Sequence, residues 1–173
     1  ARGHSVIVVD QFNAAYPVEF KRQNVNLFPS SVTIVEADIA ASDVMTRLLR
    51  TYRPHQIIHL AARAGVRTSH LDPQAYIHSN INGTAAVLAA AKHFGVQRVV
   101  AASSSSVYGN QKRLPFKESM VPNPLVPYSL QKLAGEQYCQ MFSRLWGLPT
   151  ISLRYFSVYG PRMNPEGQYA LLI

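Results

Sequence analysis

The feature that most constrains this chain is a regular alternation of strand-like and helix-like segments. Five short runs rich in β-branched residues read as buried strands: 5–9 (SVIVV), Val32–Glu36 (VTIVE), 56–60 (QIIHL), 98–102 (RVVAA) and 149–154 (PTISLR). Helical stretches fall between them. Ser42 caps a helix that runs to about Tyr52, with Pro54 ending it. Asp72 and Pro73 read as a cap followed by proline at the first helical position. That helix runs to about Phe94, with Gly95 as its stop, and Ile77, Ile81, Thr84, Leu88 and Ala91 form its stripe. Pro127 opens a further helix that ends near Gly147. Parallel strands need crossover connections, usually helical, so this alternation predicts an α/β fold: a doubly wound parallel sheet with helices on both faces.

Both ends of the pattern are expected to be truncated. Residues 1–3 read as the last turn of a helix and its glycine stop, directly before a strand. Residues 169–173 (YALLI) run apolar to the last position without a cap. The expectation is one partial domain belonging to a longer protein.

Composition narrows the class. A length of 173 residues suits one compact unit. Apolar residues at 47% and charged residues at 15% argue against disorder. No apolar run approaches the roughly 20 residues of a membrane span, and residues 1–4 carry no signal-peptide core. Cys139 is the single cysteine, which excludes an internal disulfide framework and suits a reducing, cytoplasmic setting. The net charge of +8 comes from scattered basic residues, with no run longer than two. Nucleic-acid binding is therefore not expected, whereas a phosphate-bearing small substrate fits such a field. His59, His70 and His78 are not at metal-ligand spacing, and no metal is expected. Cys139, on the helix after Lys132, reads as a packing residue.

The strongest chemical signal is Tyr128-Ser129-Leu130-Gln131-Lys132. Tyr and Lys four apart share one helix face. An ammonium beside a phenol favours the phenolate and lowers its pKa from about 10. Such a tyrosine can take a proton from a substrate hydroxyl and later return it. Ser103, Ser104, Ser105 and Ser106 follow the fourth strand directly, at its carboxyl end. Ligands of open α/β sheets sit outside those ends, where a serine hydroxyl can bond a reacting oxygen.

These stretches resemble the extended short-chain dehydrogenase/reductase superfamily, specifically its NAD-dependent nucleotide-sugar epimerases. The matching segments are ARGHSVIVVDQFN at 1–13, ADI at 37–39, HLAARAGVRTS at 59–69 and NINGTAAVL at 80–88. They continue with SSSSVYGN at 103–110, PYSLQKLAGE at 127–136 and LRYFSVYGPR at 153–162. The wording is nearest to UDP-glucuronate 4-epimerases, with UDP-glucose 4-epimerases next. The resemblance implies a Rossmann-like fold, NAD as cofactor, a UDP-sugar as substrate and a homodimer paired through the helices at 72–94 and 127–147.

It also implies roles for single residues. Tyr128 matches the catalytic base, Lys132 its partner at the nicotinamide ribose, and Ser104 the catalytic serine or threonine. Asp10 matches the acid on the adenosine ribose, which favours NAD over NADP, although alone it reads as a turn residue. Asp38 and Ile39 match adenine-edge contacts, and Leu60, Ala61 and Ala62 the loop where the cofactor nears the backbone. Ser79 and Asn80 match positions bordering the nicotinamide side, as does Phe156. Ser105, Ser106 and Ser157 match the substrate side. Arg67 and Arg162, with Arg63, are candidates for anionic substrate groups.

The implied reaction is epimerisation at carbon 4 of the sugar through a transient 4-keto intermediate. Sugar 4,6-dehydratases carry Asp-Glu just after the serine or threonine, where this chain has Ser105 and Ser106, so epimerisation is favoured. A dehydratase, an NADP-dependent reductase and a non-catalytic relative are the open alternatives. Asn164 stands where glucuronate-type enzymes carry a second arginine. The family's opening strand and Gly-x-x-Gly-x-x-Gly turn, and its substrate domain, do not occur in these residues. The 173 residues alone are therefore expected to bind NAD weakly and to turn over little.

Overall fold

The computed structural model describes residues 3–14, 17–41 and 43–163. In chain order the elements are β1 (Val6–Asp10), α1 (Val18–Asn26), β2 (Val32–Glu36), α2 (Val44–Tyr52) and β3 (Gln56–His59). There follow α3 (Pro73–Ile77), a π-helical turn (His78–Asn82), α4 (Gly83–His93) and β4 (Arg98–Ser104). A 3₁₀ turn (Ser105–Tyr108), α5 (Pro127–Trp146) and β5 (Thr150–Tyr155) complete the order. The five strands stand where the β-branched runs predict them, within one or two residues at each end.

All strand pairs are parallel. β1 pairs β2 with Val6 opposite Val32 and Asp10 opposite Glu36. β4 lies between β3 and β5, with Ile57 opposite Val99 and Ala101 opposite Ser152. Among the described residues the strands form these two sets, β1–β2 and β3–β4–β5.

The core follows from the twofold alternation of β4. Val99, Ala101 and Ser103 are buried and point at one face. There α4 supplies Val87, Leu88 and Ala91, α5 supplies Cys139 and Phe142, and α2 adds Met45 and Leu49. The opposite face of the three-stranded set shows Ile58, Leu60, Ile151 and Leu153 exposed.

Three helix readings changed in detail. The helix expected from Asp72 to Phe94 begins as predicted, with the Asp72 carboxylate accepting the Ala75 N–H at 3.1 Å. It is interrupted by the π-helical turn, which rotates the residues after it and buries both Ser79 and Asn80. α1 was not foreseen. It buries no residue and has no side-chain cap, so its sequence carries no apolar stripe to read. The helix expected to begin at Ser42 is α2, but Ser42 lies outside the described residues, as do residues 1–2, Asn164 and 169–173. α5 ends where Gly147 takes the left-handed conformation, as its sequence predicts.

Candidate active site

The chemistry-bearing residues gather where β4 leaves the sheet and α5 returns across it. β4 ends at Ser104 and passes into the 3₁₀ turn. The chain then reverses sharply at Gly109. This residue has φ +61°, and a Cβ there would lie 1.8 Å from the Asn123 carbonyl oxygen. Only glycine fits that approach. The loop closes through the Asn123 N–H on the Val107 carbonyl at 3.0 Å and the Gln111 side chain on the Tyr108 carbonyl at 2.7 Å. It delivers the chain to α5, whose start is tied by Ser129: its hydroxyl accepts the Val126 N–H and donates to the Val126 carbonyl.

Tyr128 and Lys132 then occupy successive turns of one face, with the Lys132 ammonium 5.9 Å from the Tyr128 ring centre. Lys132 Nζ donates to the Ala102 carbonyl at 2.8 Å, two residues before Ser104. Burial holds its pKa down, to about 8. A buried ammonium with a carbonyl as its described partner favours any negative charge formed beside it, so it is suited to support a phenolate. Ser104 is extended, and its hydroxyl oxygen accepts from the Ser106 N–H at 3.2 Å and the Ser106 hydroxyl at 2.9 Å. That leaves the Ser104 hydroxyl hydrogen available to donate. Ser105 and Ser106 are half-buried beside it.

Behind this face lies a buried polar layer. Asn80 accepts the Arg63 N–H at 2.8 Å and donates to the Arg63 carbonyl at 3.1 Å, with a further bond to Gln131 at 3.1 Å. The amide group of Asn80 thus clips the backbone that follows Leu60, Ala61 and Ala62. Thr84 donates to the Asn80 carbonyl at 2.6 Å, so the 2.9 Å contact with His59 has the imidazole Nε2–H as donor. Burial, helped by the Lys132 charge, lowers the His59 pKa to about 4, and the ring is neutral at pH 7. Ser79 is also buried.

Asp10 sits at the carboxyl end of β1. Its Oδ1 accepts the Phe12 N–H at 2.6 Å and pairs with Lys21 at 3.4 Å, and the side chain is 44% exposed. Asp38 accepts the Ala40 N–H at 2.9 Å and meets His78 Nε2 at 2.7 Å. Burial pushes its carboxyl up, but the bonds from His78 and Ala40 outweigh this and hold it below its ordinary value. Ile39 turns its side chain onto α4, where its Cδ1 would stand 2.9 Å from a Cβ on Gly83. Phe156 is exposed, with its ring 6.4 Å from Tyr108 and 6.0 Å from Phe116. Leu60, Ala61, Arg67, Ser157 and Arg162 are exposed, and Ala62 is half-buried.

The structure thus brings Lys132, Tyr128 and the Ser104 turn to one corner, because α5 packs on β4 and on the turn that follows it. Arg67 and Arg162 lie on the surface and make no described bond to that corner. Sequence reasoning missed Glu136 and Arg154, and it set Ser103 with the serines facing the ligand; the structure instead turns Ser103 into the core, where it bonds Glu136 beside a half-buried Arg154. Glu136 was legible in principle as the next four-residue step after Tyr128 and Lys132. It also missed the pairing of His78 with Asp38. Among the described residues no group of three or more His, Cys, Asp or Glu could hold a metal ion. Cys139 is buried, and burial pushes its thiol up, in keeping with a packing role. No described helix is long and apolar enough to cross a membrane.

Comparison with known proteins agrees with this geometry. The sequence matches the NAD dependent epimerase/dehydratase family over residues 1–173. It is 40% identical to a UDP-glucuronate 4-epimerase of Thermodesulfobacterium geofontis over 167 residues, 95% of this chain and 51% of that protein. The crystal structure of Bacillus cereus UDP-glucuronic acid 4-epimerase, in complex with UDP-glucuronic acid and NAD, superposes with a TM-score of 0.85. That match has 36% identity and covers 96% of this chain and 52% of the other. Thermus thermophilus UDP-glucose 4-epimerase in complex with NAD gives a TM-score of 0.87 at 32% identity, covering 99% and 53%. The chain spans about half the length of the curated relatives it matches. A Rossmann-like parallel α/β fold, a Tyr-x-x-x-Lys helix over a serine turn and a match along the full sequence agree: this chain belongs to the NAD dependent epimerase/dehydratase family.

Proposed function

We propose that this chain is the nucleotide-binding part of an NAD-dependent isomerase that epimerises a UDP-sugar at carbon 4. The observation that carries the reading is the alignment of Tyr128 and Lys132 on one face of α5. The Lys132 amine is fixed to the Ala102 carbonyl, two residues before Ser104. The relatives at 30–40% identity, named as UDP-glucuronate and UDP-glucose 4-epimerases, support the substrate class.

The residues fit NAD. The half-exposed Asp10 carboxylate, whose described bonds fall on Oδ1, suits a pair of ribose hydroxyls. The Asn80 clip holds the Arg63 backbone, so the loop from Leu60 to Ala62 offers a fixed, small-residue approach. Asp38 and Ile39 border the adenine side, Ser79 and Phe156 the nicotinamide side, and Lys132 the ribose between them. NAD, when bound, supplies the acceptor and later the donor of the hydride. Tyr128, as phenolate, takes the proton from the sugar 4-hydroxyl, and Lys132 stabilises that phenolate. The Ser104 hydroxyl donates to the reacting oxygen, held in place by Ser106. When the 4-keto sugar is reduced from its other face, Tyr128 returns the proton. Ser105, Ser106 and Ser157 border the sugar. Arg67 and Arg162, both exposed, are the proposed contacts for anionic groups of the substrate.

The reading extends to a cytoplasmic homodimer. One buried cysteine suits a reducing compartment. The exposed Leu130, Met141, Leu145 and Trp146 of α5 offer an apolar surface to a second copy.

The test is turnover of UDP-glucuronate and of UDP-glucose by the full-length natural protein, with products resolved by NMR. A 4-epimer is expected with no net consumption of NAD. Tyr128→Phe is expected to lower kcat by about 100-fold or more. A 4-keto-6-deoxy product, or full activity of Tyr128→Phe, would overturn the reading.

A further inference from the structure

α5 carries a third inward residue in the ladder begun by Tyr128 and Lys132. Glu136 stands one turn beyond Lys132, and it is buried. Its Oε1 accepts from the Ser103 hydroxyl at 2.5 Å and from Arg154 Nε at 2.9 Å. Its Oε2 accepts from Arg154 Nη2 at 2.8 Å, which completes a bidentate fork. Ser103 and Arg154 face each other across β4 and β5. One carboxylate thus ties the helix to both strands at their carboxyl ends. Arg154 also lies over the Tyr108 ring at 4.7 Å, and Nη1 reaches the Glu118 carbonyl at 3.5 Å. Tyr108 in turn packs on Phe116 and Phe156.

We infer that Glu136, Arg154 and Ser103 form a positioning clamp that sets the height and rotation of α5 over the β4 exit, and so aligns Tyr128 and Lys132 with Ser104. The inference rests on the epimerase reading of those three residues. Stability alone explains the clamp poorly. Glu136 is buried and Arg154 is 18% exposed, so the pair must repay the desolvation of the carboxylate and part of that of the guanidinium, and apolar side chains of similar volume commonly replace such a pair with little loss of stability. A bidentate fork supplies direction, which an apolar contact does not. Direction matters here because a displacement of about 1 Å at reacting groups can cost roughly 100-fold in rate. The clamp is well placed to impose it. It grips β4 through Ser103, while Lys132 grips the same strand at the Ala102 carbonyl, so two successive turns of α5 are pinned to two successive residues. Ser104, next along the strand, points to the other face and stays outside the clamp. Through Arg154 and Tyr108 the same group braces the aromatic wall that ends in Phe156.

The test is the double variant Glu136→Met with Arg154→Met in the full-length natural protein loaded with NAD, assayed beside Tyr128→Phe. The expected result is a urea midpoint close to the wild type's, a KM for the UDP-sugar within about twofold, and a kcat lowered at least about tenfold. A purely structural pair predicts wild-type kcat wherever stability is kept. Wild-type kcat in the double variant with Tyr128→Phe inactive overturns the clamp and leaves the epimerase reading standing. Wild-type kcat in Tyr128→Phe overturns that reading and the clamp with it. A raised KM at unchanged kcat also overturns the clamp. If the double variant fails to fold, Ser103→Ala decides, since it removes the hydroxyl arm and leaves the fork intact. A roughly threefold loss of kcat at unchanged KM is expected there, and unchanged kcat overturns the clamp.

Discussion

Lys132→Met should make the folded protein more stable at neutral pH while abolishing its chemistry. Burial lowers the Lys132 pKa from 10.5 to about 8. At roughly 1.4 kcal/mol per pH unit, holding that ammonium inside costs about 3 kcal/mol at pH 7. Methionine fills similar space without the charge, but leaves the Ala102 carbonyl without its donor, which returns about 1–2 kcal/mol of the gain. The net expectation at pH 7 is a stabilisation of about 1–2 kcal/mol. The sign with pH follows from proton uptake. Between about 8 and 10.5 the unfolded wild type binds a proton that the folded form has released, so wild-type stability rises through that window. Below it both states are protonated and the cost is fully present. The advantage of the variant should therefore shrink from pH 8 upward, reach zero at about pH 9 and reverse by about 10.5, where the missing donor to the Ala102 carbonyl is all that distinguishes the two. Urea titrations from pH 7 to 10.5, comparing midpoints at unchanged m, measure this directly. A difference that stays constant with pH, or a variant less stable at pH 7, would refute the argument that Lys132 is held against its solvation.

Four other outcomes are expected. Ser104→Ala should lower kcat roughly 10- to 100-fold with little change in KM, read by steady-state kinetics, because it removes a donor to the reacting oxygen. Asp10→Gly should weaken NAD binding and narrow the preference over NADP, measured by titration of both cofactors; an unchanged NAD affinity would remove Asp10 from the site. His59 is held neutral, with its pKa at about 4 against 6.5 unfolded, so its contribution to stability is lost as pH falls from about 6.5 to 4. His59→Gln should flatten that acid limb of a urea-midpoint profile. Gly109→Ala should destabilise the protein by at least about 1–3 kcal/mol in thermal or urea melts, since it combines left-handed backbone with a collision at the Asn123 carbonyl.

The strands and the long helices were legible because their signals are local. β-branched runs, Asp72 before Pro73 and Pro127 before the Tyr-x-x-x-Lys segment act over a few residues. α1 was not legible, because a helix that buries nothing leaves no periodic stripe. The π-helical turn at His78–Asn82 was also hidden, since one residue of slippage keeps the composition of a helix unchanged. Tyr128, Lys132 and Ser104 could be named from spacing and resemblance. Asn80 could be named too, but its use as a clip on the Arg63 backbone could not, because its partner lies 17 residues away.

What the sequence by itself determined is the order of strands and helices and the row of functional groups on α5, because both follow from backbone geometry within a few residues. Only the tertiary structure decided which groups those residues meet. Asp38 meets His78, 40 residues on, and Ser103 and Arg154 converge on Glu136 from two strands. Burial then decides charge: Lys132 and His59 lose proton affinity because the packing of α4 and α5 on β4 removes their water.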